Sequence, residues 1–134
     1  MNKVDVIFFA GVLSGLGYIG YLMSGTDDPA NHRYHQLFQK ETFIKHLAFC
    51  ILTTIAGVYF FQIATNDSFW FAPLLILLFI KIADYISLKV NKRHPLFWTK
   101  YDDPSTKKGN WLDYLLFFCI CLMPFTLCVL IFEI

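Results

Sequence analysis

Lys81 and Asp84 are the residues with the most chemistry to account for, because both lie well inside an apolar run at residues 69–90. An ionisable side chain at the centre of a bilayer costs at least about 2.5–3.5 kcal/mol on insertion scales. Three residues apart on a helix, the two share a side and can pair. Lys81 would sit about 13 Å below the end of the run at Val90, given a rise of 1.5 Å per residue. One reading is a self-neutralising pair, with the lysine reaching toward the headgroups. The other is a polar mark that a partner helix recognises, or a point on an ion path. The spacing leaves both open.

Other reactive residue types form no set. His32 and His35 share a helical face, yet no carboxylate or cysteine completes a familiar ligand spacing around them. With His46 and His94, they read as amphipathic residues at membrane edges. The cysteines Cys50, Cys119, Cys121 and Cys128 all lie in apolar runs, where a disulfide framework is not expected. Cys119 and Cys121 point about 200° apart around a helix and do not converge on one metal. Ser14 and Ser87 have no histidine at helical spacing, and no glycine loop is built to cradle phosphate. No enzymatic activity, metal or cofactor is expected.

The elements that must position these residues are membrane spans. Of the 134 residues, 57% are hydrophobic and 16% charged, against about 25% charged in a soluble domain. Most of the charges fall between apolar runs. Those runs, at about 4–23, 43–64, 69–90 and 111–132, are each long enough to cross a hydrocarbon core of about 30 Å. The expected fold is all-α: a single transmembrane domain forming an antiparallel four-helix bundle, with the lipid bilayer as its first partner. With a net charge of +1 and no block of like charge, a nucleic-acid partner is not expected.

The first run lacks a small-x-small cleavage site and reads as a retained span. Its Gly11 and Gly15 make a Gly-x-x-x-Gly pair beside Ser14, suited to close approach of another helix, from a partner chain or from within the bundle. In the first loop, Asp27-Asp28-Pro29 resembles a helix start. Tyr34, Leu37 and Phe38 then recur opposite Arg33, Gln36 and Lys40, which predicts a short amphipathic helix at the membrane interface or the first turns of a long second helix. Thr53, Thr54 and Gln62 are candidates for hydrogen bonds between helices. The turn at 65–68 is short enough to make the second and third runs a hairpin. Trp70 and Trp111 read as anchors near opposite membrane edges. Pro124 should bend the last helix.

Lysine and arginine set the orientation. The first loop carries Arg33 and Lys40, with Lys45 adjoining. The third, at 91–110, carries Lys92, Arg93, Lys100, Lys107 and Lys108, with Lys89 adjoining. The second loop and the C-terminal tail have none, and the N-terminal tail has only Lys3. Loops one and three should face the cytoplasm, and both termini should be periplasmic.

Over roughly residues 43–134, the order of features resembles the immunity proteins that protect bacteria from pore-forming colicins. The nearest likeness is to the short three-span class that includes the relatives protecting against colicin Ia. Lys81, Asp84 and Tyr85 match its span with polar residues near the inner half; Lys89, Lys92 and Arg93 match the basic segment. Phe97-Trp98 match an aromatic doublet, Pro104, Lys107 and Lys108 a short loop, and Met123-Pro124-Phe125 a last span interrupted by proline. The chain departs from that class by an additional span at 4–23; the wider set includes four-span members. The resemblance implies a bacterial inner-membrane protein that binds the channel domain of a toxin within the bilayer and stops its pore from opening. The residues implied in partner binding are Lys81, Asp84, Tyr85, Phe97 and Trp98, to which the small-residue face adds Gly11 and Gly15. The competing expectations are a homo-oligomeric pore or transporter lined by Lys81 and Asp84, and an accessory subunit of a larger membrane complex.

Overall fold

In the computed structural model, residues 2–25, 32–63, 68–97 and 109–133 are described. They form four long helices, α1 (Lys3–Leu22), α2 (Lys40–Ile63), α3 (Ala72–Asn91) and α4 (Trp111–Glu133), with no strand among them. All four are long and apolar enough to cross a membrane, and they assemble as an antiparallel bundle, so the chain is a multi-pass membrane protein. Two short 3-10 helices, Arg33–Phe38 and Ser68–Phe71, sit at opposite ends. The Arg33–Phe38 end carries the basic residues and is called the basic end below.

α1 and α4 start where short polar side chains satisfy free backbone N–H groups, whereas α3 follows Phe71 with no side-chain cap and has a proline in its first turn. Asn2 caps α1: its side chain accepts from the Lys3 N–H at 2.8 Å, and its own N–H donates to Asp5 at 3.0 Å. Asn110 and Asp113 repeat the arrangement at α4, with Asp113 N–H donating to Asn110 at 3.2 Å and Asn110 N–H donating to Asp113 at 2.8 Å. This is the reciprocal capping box that an Asn-x-x-Asp spacing makes possible. α3 ends differently. Lys92 turns out of the helix in the left-handed region, φ 58°, a common way to stop a helix that is usually given to glycine.

α3 is the hub. It packs against α1, α2 and α4, whereas α1 and α2 touch each other only sparingly. Of its apolar stretch, 44% is buried, against 17%, 17% and 22% for the other three. Ile76, Ile80, Ala83 and Ser87 form its inward face, and Leu78, Ile82 and Tyr85 an exposed stripe on the other side.

The two ends close by different means. At the end marked by Ser68–Phe71, glycines and a hydroxyl bring backbones together. A Cβ on Gly15 would fall 2.8 Å from Ala72 Cβ and 3.0 Å from Phe125, and one on Gly57 would fall 2.7 Å from Trp70 Cβ. Ser68 donates to the Cys128 carbonyl. At the basic end, the described parts of both polar loops pack against the bundle. The 3-10 helix Arg33–Phe38 buries Tyr34 and Leu37 completely, beside Phe97. A helix in the first loop is thus present, wound as 3-10, and its apolar residues face protein. The base of its loop is closed by Arg33 N–H to the Ser24 carbonyl at 3.0 Å; Asp27, Asp28 and Pro29 lie outside the described residues.

One expectation on packing is corrected. Thr53 and Thr54 donate to the Cys50 carbonyl one turn back, at 2.9 and 2.7 Å, so they bond within their own helix and not across helices. Threonine hydroxyls in a helix readily reach the carbonyl three or four residues earlier. The Gln62 side chain lies outside the described residues. Pro124 lies inside α4, which continues to Glu133.

Candidate functional site

The polar residues of α3 do not pair with each other. Lys81 Nζ donates to the Leu37 carbonyl at 2.9 Å and lies 4.4 Å over the Phe43 ring. Asp84 instead meets His94, Oδ1 to Nδ1 at 2.6 Å. The expected Lys81–Asp84 pair is therefore replaced by two separate contacts. Its geometry was weak, with the base preceding the acid along the helix. A carbonyl at the end of a 3-10 helix, free of an intrahelical partner, and an imidazole in a neighbouring loop serve each charge better.

These contacts belong to a larger set. Arg93 donates to Asp113 at 2.7 Å through Nη2, and Asp113 is fully buried at the start of α4. The same carboxylate accepts from Leu96 N–H at 3.2 Å and Asn110 N–H at 2.8 Å. A buried carboxylate is tolerated only when its lone pairs are so occupied. Tyr34 donates to the Pro95 carbonyl at 2.8 Å and accepts from Phe97 N–H at 3.0 Å. His94 stacks on Phe38 at 4.2 Å, nearly parallel, and Asn91 pairs with Asn110 at 2.8 Å. The result is a polar clamp joining the first loop, α3, the third loop and α4.

Placed against this clamp, the sequence candidates separate. Phe97 is buried between Tyr34, at 4.7 Å between centroids, and Phe117, at 5.7 Å, so it packs within the chain. Trp98 lies outside the described residues. Gly11 and Gly15 are buried as well, and Gly15 meets α3 and α4, so that face of α1 is used internally. His32 and His35 flank the Tyr34 ring. Among the described residues no group of three or more histidine, cysteine, aspartate or glutamate side chains is arranged to hold a metal ion.

Tyr85 differs from all of these. It is 67% exposed, on the same stripe of α3 as Leu78 and Ile82, about 9 Å from the end of α3 by helical rise. Among the described residues its hydroxyl has no hydrogen-bond partner. A phenol on a lipid-facing surface combines a large apolar ring with a polar handle that a second helix can satisfy.

The chain matches no family model, no curated protein and no solved structure.

Sequence reasoning missed Tyr34, Arg93, His94, Asn110 and Asp113 as one unit. The Asn110-x-x-Asp113 spacing at the head of an apolar run was the signal available. It identifies a helix cap, though not the arginine that shares the carboxylate.

Proposed function

We propose that this protein is a bacterial inner-membrane immunity protein, binding the channel-forming domain of a bacteriocin within the bilayer and blocking pore opening. In that setting both termini are periplasmic and the clamp faces the cytoplasm, as the lysine and arginine distribution favours. The order of features over residues 43–134 supports the reading, and the Tyr85 stripe is the observation that carries it. Helices meeting in lipid gain nothing from the hydrophobic effect and depend on shape and a few polar groups. α3 presents such a surface on the span that is held most firmly from behind. Lys81 and Asp84 then act as positioning residues, fixing α3 against both loops, while Tyr85 touches the toxin.

The test is protection. Expressed in a sensitive strain, the protein should protect against one cognate channel-forming toxin and not against others of its class. Tyr85→Ala should reduce protection by at least tenfold at unchanged membrane levels, and Tyr114→Ala, at an exposed position on α4, should not. Labelling of single cysteines introduced at Asp67 and Lys100 should find the first accessible from the periplasm and the second from the cytoplasm. If no toxin encoded beside the chain is neutralised and the purified protein conducts ions in liposomes, the homo-oligomeric pore replaces this reading.

A further inference from the structure

Sparse contact between α1 and α2 leaves a groove of about 520 Å³, lined by Leu13, Ser14, Gly17, Tyr18 and Tyr21 from α1 and by Lys45, His46 and Phe49 from α2. That volume lies within the ~300–1,000 Å³ usual for small-molecule sites. The groove has a direction. Leu13 to Tyr21 spans about 12 Å of helical rise, from the middle of α1 to its last turn, so the groove follows the helices along the outer surface from mid-bundle to the basic end. Its walls are apolar, and Gly17 leaves open space, for a Cβ there would meet nothing within 4 Å.

Polar groups gather toward one end. Tyr18 and His46 are hydrogen-bonded at 3.1 Å across the groove, joining the two helices. With the phenol donating to Nδ1, the neutral imidazole carries its hydrogen at Nε2 and offers a donor. Lys45 is exposed and makes no ion pair or hydrogen bond among the described residues. Arg33 stacks 4.6 Å over the Tyr21 ring, adding a second positive charge beside the groove. Glu41, one turn before Lys45 on α2, is exposed and does not pair with it among the described residues.

We propose that the α1–α2 groove binds one anionic glycerophospholipid, with its phosphate at Lys45 and His46 and an acyl chain along Leu13, Gly17 and Phe49. The shape and charge argue for this occupant: an apolar groove that runs with two membrane-spanning helices, with its cationic groups toward their basic end, where a headgroup would lie. Basic pockets between spans recognise acidic headgroups by this combination. A helix of a second copy fits less well, since it would cover Lys45 with no carboxylate on the groove wall to receive it. None of the groove-lining residues lies on α3, so lipid binding stands whether or not the chain neutralises a toxin.

Purified full-length protein in detergent, incubated with dioleoyl phosphatidylglycerol or dioleoyl phosphatidylcholine and weighed intact by native mass spectrometry, tests the site. One phosphatidylglycerol per chain should be retained, at least fivefold better than phosphatidylcholine. Lys45→Gln should lower that retention about fivefold, the loss of one lysine–headgroup attraction. Lys45→Arg should keep it. Gly17→Leu, at a position with room for the side chain, should displace the lipid without lowering the thermal midpoint. Lys89→Gln, a change of equal charge on α3, should do nothing. Equal retention of the two lipids, an equal loss on Lys89→Gln, or retention undisturbed by Gly17→Leu would each mean only annular lipid and overturn the proposal. Efficient cross-linking between copies through Leu13→Cys would give the groove to a dimer and overturn it as well.

Discussion

The two ends of the bundle reach close packing by opposite routes. At the Ser68–Phe71 end, side chains are removed: Gly15 lies under Ala72 and Phe125, Gly57 under Trp70, and a serine hydroxyl reaches a carbonyl. At the basic end, side chains are added, and charged and hydroxyl groups are brought into contact with loops: Tyr34 with Pro95, Lys81 with Leu37, Asp84 with His94 and Arg93 with Asp113. A bilayer gives helices little reason to associate through apolar area alone. The first route gains dispersion contact by letting backbones approach; the second gains hydrogen bonds in a medium where leaving them unmade is expensive. The first tolerates no added volume and the second tolerates no deleted partner.

That contrast can be broken most forcefully at Asp113. Asp113→Ala leaves Arg93 and two backbone N–H groups without their acceptor, and should lower stability by about 3–5 kcal/mol, the usual cost of removing one member of a buried ion pair. The thermal midpoint of the purified protein in detergent measures it. A cost no greater than that of a change on the outer face would mean the clamp does not hold the basic end. At the other end, Gly15→Leu should cost about 1–3 kcal/mol through overpacking, while Gly17→Leu on the open face of the same helix should stay within about 0.5 kcal/mol. Equal effects at the two glycines would remove the distinction between the faces of α1.

A smaller loss is expected at the exposed edge of the clamp. His94→Ala should cost about 1–2 kcal/mol, the scale of one hydrogen bond to a charged group, since the histidine is itself half exposed. Tyr85→Ala should change stability as little as Gly17→Leu does, within about 0.5 kcal/mol, although it should abolish most of the protection. If Tyr85→Ala unfolds the protein, the stripe belongs to the packing and not to a binding surface.

Hydropathy was sufficient to read the four spans and the all-α bundle from the chain, because uninterrupted apolar runs of that length have few other uses. The glycine pattern correctly marked one face of α1 as a place of close approach, but periodicity cannot say what approaches; in the structure it is α3 and α4. Lys81 and Asp84 were conspicuous as costly residues, and their partners were not. Those partners, Leu37 and His94, sit in loops whose conformation depends on each other. The Tyr34 contacts with Pro95 and Phe97 join residues separated by 61 and 63 positions, and no local pattern records such a meeting. Tyr85 stood out only by its neighbours in sequence; its exposure came with the fold.

The Tyr34 hydroxyl, which donates to one loop residue and accepts from another, has a consequence for how the protein is made. Tyr34 belongs to the segment between the first two spans, and Pro95 and Phe97 to the segment between the last two. An N-terminal half emerging from the ribosome can insert both of its spans yet cannot finish its own loop, because the groups that complete it are still to be translated. Lys81 reaches back in the same way to Leu37. The basic end is therefore closed last, by α3 and the segment that follows it. A chain truncated after the second span would leave the Tyr34 hydroxyl and the Leu37 carbonyl without the partners that the later residues supply.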